Sequence, residues 1–140
     1  MGIRIILFTI LLTFSIDTFS QQVVNFKAAD GLEITADLYA DAPGSPLIIL
    51  CHQAGWSRGE YQGTAEWLNE NHFSCLAIDQ RSGYAVNLTT NETAERAEKA
   101  GKGQAYLDAE QDIVAAVGWA KEYGAQKIIL LGSSYSAALV

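Results

Sequence analysis

At 140 residues the chain is at most one domain. It is 49% hydrophobic and 18% charged, a balance that allows a packed core and argues against a disordered chain. The net charge is −7 and no Lys/Arg cluster stands out, which excludes the electrostatic footprint of a nucleic-acid binder.

The N-terminal twenty residues stand apart. Arg4 precedes an apolar run over residues 5–14, and a small, polar exit follows over residues 15–20. The run is about ten residues, half of the ~20 that a spanning helix needs. The pattern is that of a secretory signal peptide over residues 1–20, cut after Ser20 to leave Gln21 first. An uncleaved anchor is the alternative. No cysteine sits at the exit, which argues against a lipid anchor. The expectation is an exported protein, periplasmic or secreted, with no stable membrane span after cleavage.

Residues 23–28 and 32–39 read as two strands joined by Asp30-Gly31, a hairpin signal. After a Pro/Gly turn, residues 47–51 form a continuous apolar run, the mark of a parallel strand buried on both faces. Ser57 and Glu60 have capping-box spacing and open a helix carrying Tyr61, Ala65 and Leu68 on one face. Residues 73–78 form the next strand. Residues 79–103 are polar, with a weakly helical middle over 92–100. Residues 105–123 form a helix with a stripe of Tyr106, Ile113, Val117 and Ala120, stopped by Gly124. Residues 127–131 are a further apolar strand. A hairpin followed by alternating strands and helices predicts a doubly wound α/β sheet.

Cys51 lies at the end of its strand and Cys75 near the start of the next. Aligning His52 with Asp79 leaves the two sulfurs about three residues out of register. At ~3.3 Å per residue that exceeds disulfide reach, so two buried free thiols are expected even in an oxidising compartment.

The chemistry gathers where the parallel strands end. Gly132-Ser133-Ser134-Tyr135-Ser136 follows the last strand and opens a helix. Small residues two before and two after Ser134 meet the requirement of a strained strand-to-helix turn. Ser133 would be flanked by Leu131 and Tyr135, both too large. A helix N-cap is the plain alternative for Ser134. Two further loops end the earlier parallel strands: His52-Gln53-Ala54-Gly55-Trp56 and Asp79-Gln80-Arg81-Ser82-Gly83-Tyr84. α/β sheets place their sites on that edge.

These three loops, in this order and spacing, resemble the α/β-hydrolase superfamily, and within it the dienelactone-hydrolase-like and serine esterase or peptidase members. The resemblance covers about residues 23–140, so residues 21–140 are expected to be the N-terminal portion of one α/β-hydrolase domain. It implies Ser134 as nucleophile and an oxyanion hole from the Ala54 and Tyr135 N–H groups, with Gln53 the alternative to Ala54. It implies that His52 is structural, bonding within its loop. Asp79 and Arg81 are expected to order their turn, by pairing with each other or through backbone bonds. The implied reaction cleaves an ester or amide of a small molecule or peptide through an acyl-enzyme, with no metal or organic cofactor. Trp56 and Tyr135 are expected to line the acyl side.

In this fold the acid and then the histidine follow the serine in the chain. Both would come after Val140, so the 140 residues alone are expected to be an incomplete, inactive hydrolase with an open apolar edge at residues 127–131. A non-catalytic binding protein of the same fold is the rival reading. Elsewhere, His72 sits at a helix end, where capping is its expected job. Glu92, Glu95 and Glu98 alternate with Arg96, Lys99 and Lys102 as on a solvated helix face, and Asp108 and Asp112 are expected to lie away from the elbow. Asn87-Leu-Thr89 and Asn91-Glu-Thr93 match the glycosylation sequon.

Overall fold

The computed structural model describes residues 21–140. The expected leader, residues 1–20, lies outside the described residues. Five strands form one sheet in the order β1-β2-β4-β3-β7: β1 (Gln21–Lys27), β2 (Glu33–Tyr39), β3 (Leu47–Cys51), β4 (Ser74–Ile78) and β7 (Ile128–Gly132). β1, β2 and β4 pair antiparallel, whereas β3 pairs parallel with both β4 and β7. The Asp30-Gly31 turn works as its residues dictate: Asp30 Oδ1 accepts from the Leu32 N–H at 3.1 Å, and Gly31 takes a φ of +81°.

Alternate residues of β3 serve opposite faces. Leu47, Ile49 and Cys51 pack with Leu76, Ile78, Ile113, Ala116 and Ala120 beneath α3 (Glu110–Glu122). Ile48 and Leu50 pack with Tyr61, Ala65, Cys75 and Ala77 beneath α1 (Gln62–Glu70). A smaller cluster of Ala28, Leu32, Ile34 and Ala97 seats α2 (Glu92–Lys99) on the hairpin. The sheet is thus a middle layer with helices on both faces, as the chain order predicts.

The β3–β4 register sets Cys51 opposite Ile78 and Cys75 opposite Ile48, three positions apart. Both cysteines are free and buried. Burial in apolar surroundings pushes each thiol up to about 12, since the thiolate would be left unsolvated.

Some boundaries differ from the sequence reading. The first turn of the expected 105–123 helix is a separate 3-10 turn, Tyr106–Ala109. The expected helix after Ser57 likewise opens with a 3-10 turn, Arg58–Tyr61, before α1. A two-residue hairpin, β5 (Ala85–Val86) with β6 (Thr89–Thr90), stands in what reads as loop. Its turn places Asn87 and Leu88 at φ of +49° and +61°, the paired left-handed conformation of a tight hairpin. Among the described residues β7 pairs only with β3, and Leu130 and Leu131 on it are 37% and 39% exposed. No helix among the described residues is long and apolar enough to cross a membrane.

Candidate active site

β7 delivers the chain to a sharp turn. Ser133 is extended, and its N–H donates to the Cys51 carbonyl at 3.0 Å, prolonging the β3–β7 ladder. Ser134 then takes a φ of +55°, a left-handed conformation that costs a non-glycine residue about 1–3 kcal/mol. A 3-10 turn, Ser134–Ala138, follows at once. The reversal packs the new turn against the strand end: a Cβ on Gly132 would lie 2.5 Å from Ser136 C and 2.6 Å from Ala137 N. Ser134 is exposed, and among the described residues its hydroxyl has no hydrogen-bond partner. Ser136 is buried, and its Oγ donates to the His52 carbonyl at 2.5 Å while lying 3.0 Å from the Gln80 side-chain amide. Three nearby serines therefore have three environments, and Ser134 alone combines the strained apex with exposure.

The loop after β3 lies beside this turn. His52 is fully buried; its Nδ1 lies 2.8 Å from the Gln53 carbonyl, and its Nε2 accepts from the Gln80 N–H at 2.9 Å. That pattern requires the neutral ring with its proton on Nδ1. Burial holds the His52 pKa below the usual imidazole range. The Gln53 N–H donates to Glu60 at 2.7 Å. Glu60 therefore does not close a capping box: Ser57 caps its turn through the Gly59 N–H, while the Glu60 carboxylate is spent on the neighbouring loop. With the Gln53 N–H occupied, Ala54 is the next amide in the loop, and its N–H has no acceptor among the described residues. Tyr135 is second in its 3-10 turn, where no helical acceptor exists for an N–H.

Two buried ion clusters hold these loops. Asp79 and Arg81 do not pair with each other. Asp79 accepts from the Arg58 N–H at 2.8 Å, the Arg58 guanidinium at 2.5 Å and the Glu92 N–H at 2.9 Å. Arg58 also reaches Asp37 at 3.0 Å and Glu92 at 3.1 Å. Burial outweighs these bonds and pushes the Asp79 carboxyl up to about 6. Arg81 instead grips Asp112 at 2.7 Å and Asp30 at 2.9 Å, and its own N–H donates to Asp112 at 2.9 Å. The Arg81 guanidinium holds the Asp30 carboxyl well below the usual range. Asp112, expected on a helix away from the site, is fully buried beneath the 79–84 loop and anchors it.

Two further readings change, those of the α2 face and of Asn91, while His72 caps a helix end as expected. Glu92 and Arg96 belong to the buried network through Arg58 and Thr35, so the face of α2 is solvated only in part. Asn91 is fully buried as the N-cap of α2, and its Nδ2 donates to the Gln80 and Trp56 carbonyls at 2.8 and 3.1 Å. In the folded chain it is no glycosylation acceptor. Asn87 is exposed. His72 adopts a φ of +67° just after the end of α1, and its N–H donates to the Asn69 carbonyl at 3.0 Å.

A cavity of about 750 Å³ opens beside the Ala54 loop, walled by Ala54, Gly55, Tyr84, Tyr106 and Glu95 among others. Trp56 and Tyr135, expected on the acyl side, are not part of its wall. Tyr135 stacks on Tyr106 with centroids 4.6 Å apart, and its hydroxyl shares a hydrogen bond with Ser82, which fixes the ring. Among the described residues no group of three or more His, Cys, Asp or Glu side chains is placed to hold a metal.

The sequence reading missed Arg58 and Asn91 as parts of this assembly, and gave Gln80 and Ser136 no role beyond their places in the loop and the turn. The nearest signals are the polar residues at the ends of apolar strands and the Asn just before α2, a helix N-cap pattern.

No protein-family model matches the chain, and no curated protein matches it. Solved structures do match. DcsB, solved with a substrate analogue, is 22% identical with a TM-score of 0.66 over 86% of this chain and 39% of its own. The α/β hydrolase GrgF from a Penicillium species is 20% identical with a TM-score of 0.64 over 83% of this chain and 38% of its own. A dienelactone hydrolase from Anabaena variabilis is 18% identical with a TM-score of 0.61 over 82% of this chain and 52% of its own. The chain thus spans about two-fifths of the length of the first of these structures. Strand order, the turn after β7 and these matches lead to one conclusion: the chain carries the N-terminal portion of the α/β-hydrolase fold.

Proposed function

We propose that these residues form the nucleophile and oxyanion half of a serine hydrolase site acting on an ester or amide. Ser134 attacks the carbonyl carbon, its proton passes to a base, and the leaving group departs to give an acyl-enzyme that water then hydrolyses. The Ala54 and Tyr135 N–H groups receive the negative charge that develops on the carbonyl oxygen. One such donor is worth roughly 3 kcal/mol of barrier. The observation that carries the reading is the left-handed, exposed Ser134 between the extended Ser133 and the buried Ser136.

Neither histidine in the 140 residues suits the role of base. His52 has both ring nitrogens engaged. His72 precedes β4 while the site follows it, and five strand residues at ~3.3 Å each separate the two ends. The base, and the acid that orients it, therefore belong to a part of the full-length protein outside these residues. The same observation favours a second reading, a non-catalytic binding protein of this fold. His52, Asp79 and Arg81 act as loop-ordering residues in either case, and the leader-like residues 1–20 favour export.

Hydrolysis of a short aryl ester by the full-length protein separates the two. Catalysis predicts turnover that Ser134→Ala lowers by at least ~10⁴-fold. Turnover unchanged in that variant would refute Ser134 as the nucleophile, and no turnover on any ester or amide would favour binding.

A further inference from the structure

Gln80 is fully buried, and its polar groups are committed to the site loops. Its N–H donates to His52 Nε2 at 2.9 Å, and its carbonyl accepts from Asn91 at 2.8 Å. Its side-chain amide meets Ser136 Oγ at 3.0 Å. That hydroxyl is also 2.5 Å from the His52 carbonyl, the residue two before Ala54. The one Ser136 hydroxyl proton goes to the His52 carbonyl, so the end of the Gln80 amide that meets Ser136 Oγ is its N–H, and this gives the buried amide nitrogen its partner. Native folds seldom leave a buried polar group unmet, and each polar group of Gln80 is met by a site loop.

We infer that Gln80 and Ser136 together are positioning residues for the oxyanion hole. The pair ties the turn bearing the Tyr135 N–H to the loop bearing the Ala54 N–H. A glycine or alanine at 136 would satisfy the steric demand of the turn as well as serine does, so the hydroxyl has a separate use. The two amides must meet one oxygen at 2.7–3.1 Å from each. A buried hydrogen-bonded link between the two segments fixes that spacing more tightly than apolar packing, because it specifies distance and direction at once. Gln80 and Ser136 touch no substrate; they act through Ala54 and Tyr135. This inference rests on the serine-hydrolase reading above.

The test uses the full-length protein with Ser136→Ala, Gln80→Leu and the double variant. Oxyanion contacts are stronger in the transition state than in the ground state, so their loosening lowers kcat and leaves KM nearly unchanged. Each single variant is expected to lower kcat about tenfold or more, with KM within about twofold. The double variant is expected to lose little beyond the worse single, since both cut one link. Equal kcat in all four proteins, or a change confined to KM or to the melting temperature, would overturn the inference. If Gln80→Leu does not fold, Gln80→Met takes its place, and Ser136→Gly serves likewise at the other end. Failure of the underlying reading looks different: turnover or fluorophosphonate labelling then survives Ser134→Ala.

Discussion

Arg58→Met is the perturbation that exposes most about how the site is held. The Arg58 side chain is 8% exposed and faces Asp37 and Asp79, whose side chains are 1% and 0% exposed. It also donates to the Thr90 carbonyl at 3.0 Å and to Glu92 at 3.1 Å. Asp37 Oδ2 already lacks a partner among the described residues. Methionine keeps the apolar stem but leaves two buried carboxylates without a counter-charge. Breaking a buried pair from one side costs about 3–5 kcal/mol. Urea unfolding at pH 7.5 measures it directly. The loss should shrink on acidification, because the variant can neutralise its stranded carboxylates by taking up protons. Each extra proton bound by the folded variant recovers about 1.4 kcal/mol per pH unit, so about 2 kcal/mol returns between pH 7.5 and pH 6. Adding Asp37→Asn should also recover part of the loss. A deficit under 1 kcal/mol, or one independent of pH, would refute the view that this cluster is charge-balanced by Arg58.

In the unaltered protein, the folded Asp79 carboxyl at about 6 lies above its ordinary value of 3.8. Its contribution is therefore fully present below pH 3.8 and is lost as pH rises through 6, about 3 kcal/mol in all. Asp79→Asn should flatten that part of the stability–pH curve; an unchanged slope between pH 4 and 6.5 contradicts the assignment. Gly132→Ala forces a Cβ against the backbone of Ser136 and Ala137, and should cost about 1–3 kcal/mol and slow fluorophosphonate labelling. Gly63→Ala, in α1 with nothing within 4 Å of the added Cβ, should instead stabilise by up to about 1 kcal/mol. Cys51 and Cys75 should resist a thiol reagent until the protein unfolds, and a reductant should leave the melting temperature unchanged.

The features legible in the sequence are those that depend on neighbours along the chain. Gly132, Ser134 and Ser136 announce the turn because sterics at a tight reversal act over two residues. Alternation and apolar runs give β2, β3 and β4, and the His52–Asp79 alignment gives the three-residue offset of the cysteines that the β3–β4 register shows. The features that escape depend on side chains meeting across the fold. Arg58 meets Asp37 and Asp79 from 21 residues away in opposite directions, and Arg81 meets Asp112 from 31. Nothing local distinguishes those carboxylates from solvated ones. Asn91 matches a sequon on sequence alone, but its burial turns it into a cap and a loop brace. Glu60 has capping-box spacing, yet an unpaired amide on the adjacent loop competes for its carboxylate and wins.

The central claim is that Ser134 is the nucleophile. Its most direct test is to treat the folded full-length protein with a fluorophosphonate and map the adduct by peptide mass spectrometry. A single phosphonyl group on Ser134 is the predicted result. An adduct on Ser133 or Ser136, or none on any serine of the turn, would contradict the account.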